Sequence, residues 1–423
     1  MIRLLYSFAW WLALPLVLGR LWWRGRKEPG YRQHMAERFG FYSTRPSRKM
    51  LWVHAVSVGE TRAAEPLVDA LLREYPDHAV LLTHMTPTGR ATGKSLFENL
   101  GDRLVQCYLP YDTGFMVGRF LKHFRPSICI LMETEVWPNL IAKCAAHRVP
   151  VALVNARLSE KSLAKAQRLS ALMADAARGF SCVAAQTEAD AERLRTFGVQ
   201  NVHVTGSIKF DVTPPDSAIA KGEALRAQIG TRPVLLCAST REGEETLILD
   251  ALEASSGLDD ALIVIVPRHP QRFDDVAKMI ETHRLKMCRR STLGTASLPH
   301  DVRILLGDSM GEMFAYYSAC DLAFIGGSLL PLGGQNLIEA CAVGKPVLVG
   351  PHTFNFSVVT DEAIVAGAAV RVADAGAMLS KASFLIHASS DCAAMGKNAL
   401  AFAQQHRGAT VRTMTLLKQL VRT

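Results

Sequence analysis

The 423-residue sequence lacks several signatures of common nucleotide-binding proteins. No Asp-x-Asp occurs, so the usual metal clamp for a sugar diphosphate is missing and we expect no metal site. No G-x-G-x-x-G follows the first predicted strand, which argues against a dehydrogenase. The string GRATGKS at Gly89–Ser95 lacks the first glycine of a P-loop because Thr88 stands there, so we exclude an NTPase site.

Paired cysteines are also missing. The nine cysteines are scattered, the closest two are 15 residues apart, and no Cys-x-x-Cys occurs. This spacing excludes a disulfide framework and a zinc site, and it predicts reduced thiols in a cytoplasmic compartment.

Acidic residues are scarce at the start of the chain, where Glu28 and Glu37 are the only two among the first 50 residues. Ten Lys and Arg share that segment, so it carries +8 of the +9 net charge and leaves the other 373 residues at +1. A nearly neutral body is a poor binder of duplexes, and we expect no nucleic-acid partner.

An uncharged and mostly apolar run, Leu4–Leu18, precedes Arg20, Trp22, Trp23 and further basic residues. Its 15 residues span about 22 Å as a helix, against a hydrocarbon core of roughly 30 Å, and including Leu21–Trp23 nearly closes the gap. Spanning and interfacial insertion are both compatible with this length. A cleaved signal peptide is disfavoured because the basic cluster follows the apolar run and no small-x-small site is present. We predict a membrane anchor over residues 1–27, with residues 20 onward in the cytoplasm.

From residue 50 onward, short apolar runs alternate with amphipathic stretches, which predicts parallel α/β sheets. The alternation breaks at Val212–Pro233, where prolines and glycines concentrate, and then restarts. We therefore predict an N-terminal α/β domain over 28–211, a linker over 212–232 and a C-terminal α/β domain over 233–423. The last helix could pack back on the N-terminal domain.

In open α/β sheets, ligands bind beyond the carboxyl ends of the strands. In the first half, Glu60 opens a helix after the first strand, and it is either a helix-dipole partner or a general base. The helix terminus lowers its pKa, so a base role requires desolvation or a nearby carboxylate. Glu133 and Glu135 after the fourth strand are the candidate carboxylates, and either could serve. A Mg²⁺ site at these two acids is a weaker alternative.

In the second half, Arg268 and His269 follow the apolar strand ALIVIV, a position suited to binding a phosphate. An exposed structural turn is the alternative. The turn Gly307–Glu312 and the loop Gly326–Glu339 each precede a helix, where backbone amides can approach an anion. Glu339 could accept hydrogen bonds from a ribose diol.

Seven strings together resemble the 3-deoxy-D-manno-octulosonic acid (Kdo) transferases of lipid A biosynthesis. They are HAVSVGE (His54–Glu60), ETEVWPN (Glu133–Asn139), GSIKFD (Gly206–Asp211), ASTREGEE (Ala238–Glu245), PRHP (Pro267–Pro270), GDSMGE (Gly307–Glu312) and GGSLLPLGGQNLIE (Gly326–Glu339). The resemblance covers essentially the whole chain. It implies the GT-B glycosyltransferase fold, in which two Rossmann-like parallel-sheet domains face a cleft, here with an N-terminal membrane anchor helix.

The resemblance also implies roles. Glu60 would be the base that deprotonates the acceptor, and Glu133 and Lys209 would stabilise the transition state. The residues expected to hold CMP are Arg268, His269, Met310, Gly311, Glu312, Asn336, Leu337, Ile338 and Glu339. Arg241 and Gln335 depart from the pattern, because many members have His at these positions.

The reaction implied is an inverting transfer of Kdo from CMP-Kdo to a lipid A precursor (lipid IVA) in lipopolysaccharide biosynthesis, without cofactor or metal. The acceptor and the inner-membrane lipids would be met at the cytoplasmic face of the cell inner membrane. Two alternatives are a GT-B transferase that uses a UDP-sugar on a lipid acceptor, and a non-catalytic membrane-anchored nucleotide-binding protein.

Overall fold

The computed structural model describes residues 2–26, 28–44, 46–167, 170–255 and 257–421. Met1 and Lys27 of the predicted anchor, and the last two residues of the predicted C-terminal domain, lie outside this range. The chain divides into two compact units: unit 1 comprises Met1–Asp211 and Arg407–Thr423, and unit 2 comprises Val212–His406. Each unit contains a seven-stranded parallel sheet, which confirms the predicted α/β fold of the GT-B type.

Unit 1 has the sheet order β3-β2-β1-β4-β5-β6-β7. Its strands are β1 Lys49–His54, β2 His78–His84, β3 Leu104–Tyr108, β4 Ile128–Met132, β5 Val151–Ala156, β6 Cys182–Ala185 and β7 Val202–Val204. Its helices are α1 Ile2–Arg24, α2 Met35–Arg38, α3 Val58–Ala63, α4 Glu65–Glu74, α5 Pro87–Leu96, α6 Gly114–Phe124, α7 Pro138–Ala146, α8 Glu160–Gln167, α9 Ser170–Ala177, α10 Glu188–Thr196 and, at the chain end, α19 Ala409–Lys418. Short 3-10 turns occupy Pro29–Arg32, Glu98–Arg103 and Ile208–Asp211.

Unit 2 has the sheet order β10-β11-β9-β8-β12-β13-β14. Its strands are β8 Val234–Thr240, β9 Leu262–Pro267, β10 Met287–Arg289, β11 Ile304–Leu306, β12 Leu322–Ile325, β13 Val347–Val349 and β14 Ala369–Arg371. Its helices are α11 Asp216–Ile229, α12 Glu244–Glu253, α13 Phe273–Thr282, α14 Met313–Ala319, α15 Ile338–Ala342, α16 Ser357–Val365, α17 Ala375–His387 and α18 Ser389–Gln405. Short 3-10 turns occupy Pro270–Arg272 and Arg290–Thr292.

The central strands are buried on both faces, which explains why their sequences are continuously apolar rather than alternating. In β4 all five residues are buried, and its side chains divide between two hydrophobic clusters on opposite faces of the sheet. Apart from β11, which lies between β10 and β9, the strand order of each sheet reverses once, between β1 and β4 in unit 1 and between β8 and β12 in unit 2. These reversals are the positions where α/β sheets bind ligands.

The segment 212–232 differs from the predicted linker because it contains α11, which belongs to unit 2. The residues that suggested a linker lie largely at the helix ends: Pro215 precedes the first turn, and Gly230 ends the helix with a φ of 78°. Gly222 lies within the helix, where an added Cβ would stand 2.4 Å from the Cβ of Ser318. This glycine therefore permits close packing of α11 on unit 2.

The C-terminal helical segment divides between the units, with α18 in unit 2 and α19 in unit 1. The break falls at Gly408, whose φ is 92°. The carboxylate of Asp211 accepts hydrogen bonds from the backbone N–H groups of Gly408 (2.6 Å) and Thr410. Asp211 of the GSIKFD string thus caps α19, while Met414 and Leu417 of that helix contribute to the core of unit 1.

Candidate active site

Glu60 lies in the first turn of α3, beside the strand reversal of unit 1. Its carboxylate accepts hydrogen bonds from the backbone N–H of Val56 (2.7 Å) and the hydroxyl of Ser57 (3.3 Å), while the Ser57 hydroxyl accepts from the Glu60 N–H. Burial raises the pKa of Glu60 to about 7; the charges of Glu133 and Glu135 add to this rise and the hydrogen bonds oppose it. Desolvation and nearby carboxylates, either of which would suit a base, are both present.

Glu133 directly follows β4 in the left-handed region, with a φ of 56°, and its residue surface is 9% exposed. One carboxylate oxygen lies 2.7 Å from the ammonium of Lys209, which comes from the 3-10 turn that ends the unit's first segment. Two predicted site residues that are 76 positions apart in the sequence therefore form an ion pair.

Asn155 connects the two segments that carry this ion pair. It lies near the end of β5 with a φ of 53°. Its side-chain Nδ2 donates to the carboxylate of Glu133 (3.5 Å), and its side-chain Oδ1 accepts from the backbone N–H of Ile208 (3.1 Å). Asn155 was not predicted from the sequence as a site residue. Its position at the end of a strand that neighbours β4 was the available signal.

Glu135 occupies a separate environment. Its carboxylate accepts a hydrogen bond from the indole N–H of Trp137 (2.7 Å), and burial raises its pKa. The Nε2 atom of His54 lies 4.0 Å away, but complete burial lowers the pKa of His54 to about 3. The imidazole is therefore neutral near pH 7, and this contact is not an ion pair.

A group of basic side chains lies beside the strand reversal of unit 2. Arg268 follows β9, and its Nε–H donates to the side-chain oxygen of Gln335 (3.3 Å). A Cβ added to Gly327 would lie 3.1 Å from the amide of Gln335 and 3.5 Å from Cγ of Arg241, so the two departures from the family pattern are neighbours. Partial desolvation, followed by the charges of Arg241, Arg268 and Arg272, lowers the pKa of His269. His269 is therefore neutral near pH 7 and can donate or accept a hydrogen bond.

Glu244 stabilises the backbone of this region. Its side chain is fully buried, and its carboxylate accepts from the backbone N–H groups of Arg241 (2.9 Å), Gly327 (2.5 Å) and Leu329 (2.9 Å). Two amides of the glycine loop are therefore already used within the protein. Glu244 lies within the ASTREGEE string, but no role for it was predicted from the sequence.

The turn Gly307–Glu312 is held by its own polar residues. The hydroxyl of Ser309 lies 2.6 Å from the carboxylate of Glu312, and Nε of Arg290 lies 3.4 Å from that carboxylate. Gly311 has a φ of 79°, and Met310 is 59% exposed. The predicted residues Met310, Gly311 and Glu312 therefore form one turn with an exposed tip.

The predicted residues Asn336–Glu339 divide into two kinds. Asn336 bridges the segment, because its amide donates to the carboxylate of Glu339 (3.3 Å) and its oxygen accepts from the N–H of Ile338 (3.0 Å). Leu337 and Ile338 are 1% and 0% exposed, so their side chains belong to the core. Any ligand contact by these two residues would be made by their backbone.

Among the residues described, no group of three or more His, Cys, Asp or Glu side chains is arranged to hold a metal ion. Among the helices of the described residues, α1 alone is long and apolar enough to cross a membrane, with a mean hydropathy of 1.5 over 18 residues.

Comparison with protein-family models identifies both halves of the chain. Residues 33–212 match the family described as 3-Deoxy-D-manno-octulosonic-acid transferase (kdotransferase), and residues 290–402 match Glycosyl transferases group 1.

Two curated relatives cover nearly the full length. The 3-deoxy-D-manno-octulosonic acid transferase of Bordetella pertussis is 46% identical, with 98% of this chain and 99% of the relative aligned. The enzyme of the same name from Haemophilus influenzae is 35% identical, with 98% of each chain aligned.

Solved structures of low sequence identity share the fold. Anabaena HepE in complex with UDP aligns with a TM-score of 0.58 at 17% identity, covering 88% of this chain and 99% of that one. The UDP-GlcNAc 2-epimerase of Neisseria meningitidis aligns with a TM-score of 0.57 at 18% identity, covering 88% of this chain and all of that one. At these identities the likeness concerns the fold alone.

Proposed function

Because the chain belongs to the 3-deoxy-D-manno-octulosonic acid (Kdo) transferase family, we propose that it moves Kdo from CMP-Kdo to a hydroxyl of a lipid A precursor (lipid IVA). The observation that carries the mechanism is the carboxylate of Glu60, whose pKa is about 7, at the strand reversal beside the Glu133–Lys209 ion pair. The quoted motif strings support CMP-Kdo as the donor and a lipid A precursor as the acceptor.

Glu60 is the proposed general base. A base is most effective when its pKa lies near the working pH, because it is then ionised and still accepts a proton readily. In the proposed step the acceptor hydroxyl gives its proton to Glu60, and its oxygen forms a bond with the ketosidic carbon of Kdo. The bond from that carbon to the CMP phosphate breaks, and CMP leaves with the electron pair. A single displacement of this kind inverts the anomeric centre.

Glu133 and Lys209 are proposed to stabilise the transition state electrostatically. Their ion pair fixes a positive group beside Glu133, and Lys209 can offset the negative charge of the sugar acid. We assign the second-carboxylate role to Glu133 rather than Glu135, because Glu133 holds Lys209 whereas Glu135 accepts from Trp137.

Unit 2 is proposed to bind CMP. Arg268 supplies a charge to the single phosphate, and neutral His269 supplies a hydrogen bond. The turn of Met310, Gly311 and Glu312 and the segment Asn336–Glu339 would hold the nucleoside, with Glu339 accepting from the ribose diol. Leu337 and Ile338 would act only through backbone atoms because their side chains are buried.

A lipid-linked acceptor gives the N-terminal helix a role in membrane binding. A lipid-linked substrate stays in a membrane, so an enzyme acting on it gains access by binding that membrane. The apolar helix α1 and the basic residues that follow it support a location at the cytoplasmic face of the cell inner membrane.

The test is mass spectrometry of lipid products after incubation of the full chain with lipid IVA and CMP-Kdo. We expect the acceptor mass to increase by Kdo, and no addition when a UDP-sugar replaces CMP-Kdo. CMP, but not UDP, should protect the protein against thermal unfolding. An unmodified acceptor, with a folded protein that still binds CMP, would contradict transfer and favour a non-catalytic nucleotide-binding protein.

A further inference from the structure

The helix α1 packs lengthwise against the rest of unit 1. Near its start, the hydroxyl of Tyr6 donates to the carboxylate of Asp112 (3.0 Å), and the hydroxyl of Ser7 donates to the side-chain oxygen of Asn139 (3.1 Å). Asp112 also accepts from the backbone N–H groups of Asn139 (3.0 Å) and Leu140 (2.7 Å). The two hydroxyl groups therefore connect α1 to the buried polar start of α7.

The middle of the helix is held by apolar contacts. The rings of Trp10 and Tyr111 lie 5.8 Å apart, and Leu14 is 6% exposed. Leu14 forms one cluster with Tyr111 and Met116, against which Val17, Leu21 and Phe39 also pack. The contacting residues recur every three or four positions, so they occupy one face of the helix.

The far end is held as well. The guanidinium of Arg32 donates to the backbone oxygen of Trp22 (2.8 Å) and lies 4.1 Å from the centre of its ring. Contacts with the rest of unit 1 therefore extend from Tyr6 to Leu21, about 22 Å at 1.5 Å per residue.

This docking is incompatible with a membrane-spanning helix. A helix that crosses the bilayer has hydrocarbon around it over about 30 Å. Crossing would either take the Asp112 carboxylate and its neighbours into hydrocarbon, or remove Tyr6 from Asp112 and uncover Tyr111 and Met116. Both alternatives are unfavourable, because buried polar groups need partners and exposed apolar groups lose their burial.

The opposite face of α1 is exposed and apolar. The exposed large apolar side chains of α1 are Ile2, Leu4, Leu5, Phe8, Trp11, Leu12, Leu16, Trp22 and Trp23. Arg3, Arg20 and Arg24 of the helix and Arg26 just after it are also exposed, and residues 1–27 contain no acid. On unit 1, Phe41 and Phe115 are 51% and 61% exposed, and the guanidinium of Arg119 lies 3.4 Å from the ring centre of Phe41.

This composition matches a bilayer surface that contains anionic lipids. Leucines and tryptophans enter the boundary between headgroups and acyl chains, and arginines reach the phosphates. We infer that α1 lies parallel to the membrane, docked on unit 1 through Tyr6, Ser7 and Leu14, and inserts its outer face into an anionic leaflet without crossing it. This inference rests on the proposed function only in that a lipid-linked acceptor requires the protein to bind a membrane.

The decisive experiment measures topology in the full-length chain. Seven native cysteines are buried, and the two half-buried ones, Cys288 and Cys392, are replaced by Ser. Arg3→Cys then reports on the start of α1, and Arg73→Cys on α4 is the matched exposed reference on unit 1. A membrane-impermeant maleimide is applied to intact spheroplasts of a Gram-negative host, with and without detergent.

We expect both positions to be protected in intact spheroplasts and modified after detergent, with at least about a tenfold difference. Modification of Arg3→Cys in intact spheroplasts, while Arg73→Cys stays protected, would overturn the inference. This readout does not depend on Kdo transfer, so failure of the proposed function leaves its result unchanged.

A cross-link tests docking in the membrane-bound state. The side-chain oxygens of Ser7 and Asn139 are 3.1 Å apart, so Ser7→Cys combined with Asn139→Cys should form a disulfide on vesicles under mild oxidation. Each single variant is the control. Absence of the disulfide in a vesicle-bound, folded protein would mean that α1 leaves unit 1 on binding.

Vesicle binding tests the occupant. Vesicles that contain phosphatidylglycerol should bind the full chain at least about tenfold better than phosphatidylcholine vesicles, and high salt should reduce the difference. Equal binding to both would contradict the role of the arginines. A stable dimer that binds neither vesicle would instead make a second copy of the chain the occupant and overturn the proposal.

Discussion

The two units use glutamates at the same edge of similar sheets in opposite ways: Glu244 is fully buried, whereas Glu60 is half-buried. In unit 2, the Glu244 carboxylate accepts from three backbone N–H groups, and the neighbouring surface presents Arg241 and Arg268. In unit 1, Glu60 accepts from one backbone N–H and one hydroxyl, and two other carboxylates raise its pKa further. A carboxylate that accepts several backbone hydrogen bonds stabilises a loop. A carboxylate with fewer hydrogen bonds and with other carboxylates nearby has a raised pKa and can accept a proton.

The largest expected effect is that of Glu60→Gln. This variant keeps the shape of the side chain but cannot accept a proton, so kcat should fall by at least about 10²-fold. The affinity for CMP, measured by calorimetry, should change little. Glu133→Gln should also slow transfer, but the pH profile of its residual rate should stay closer to that of the parent.

The parent rate itself should rise with pH around the Glu60 pKa of about 7, because the base acts when ionised. Near-parental turnover of Glu60→Gln would leave Glu60 as a helix-dipole partner only, with at most about 1 kcal/mol of stability lost. In that case the difference between Glu60 and Glu244 would have no role in catalysis.

In unit 2 we expect a loss of CMP affinity, which Glu60→Gln leaves nearly unchanged. Arg268→Ala removes a charge-assisted contact with the phosphate, so the Kd for CMP should rise by roughly ten- to a hundredfold. Arg303→Ala is the matched control, because Arg303 precedes β11 at the amino end of the sheet and bonds the carbonyl of Leu258 (2.7 Å). Unchanged CMP affinity in a folded Arg268→Ala protein would remove Arg268 from the site.

A smaller effect is expected for Asn155→Ala. Without the amide, the Glu133 carboxylate and the Ile208 backbone lose a shared partner, so the Glu133–Lys209 pair is held less firmly. We expect kcat to fall by about tenfold with unchanged CMP affinity. Asn155→Asp restores the acceptor for Ile208 but places a charge beside Glu133, and it should not restore the rate. If Asn155→Asp recovered the parent rate, the only role of Asn155 would be to accept the hydrogen bond from the backbone of Ile208.

The smallest effect concerns stability against pH. Because the folded pKa of Glu60 is raised from 4.5 to about 7, its protonated form favours the folded state below about pH 4.5, and this contribution is lost as pH rises through 7. The stability of Glu60→Gln relative to the parent should therefore increase between pH 5 and pH 8, on the order of 1 kcal/mol. Urea denaturation at both pH values measures this, with Glu98→Gln as an exposed glutamate control. A relative stability that is constant with pH would contradict the raised pKa.

Much of the architecture was predictable because it depends on local patterns. Continuous apolar runs such as Ile128–Met132 predicted buried parallel strands, and the residues that follow them marked the binding edge. The segment 212–232 was harder, because prolines and glycines mark helix ends as well as linkers, and α11 lies between them.

The sequence by itself determined the α/β fold, the concentration of basic charge beside the apolar N-terminus and the motif strings that the family shares. Only the tertiary structure decided that Lys209 pairs with Glu133, that Glu244 occupies amides of the glycine loop, that Leu337 and Ile338 point into the core, and that α1 docks along unit 1. The physical reason is that strand and helix patterns depend on neighbours along the chain. Hydrogen bonding, desolvation and pKa depend on groups from distant segments, which the fold alone brings together.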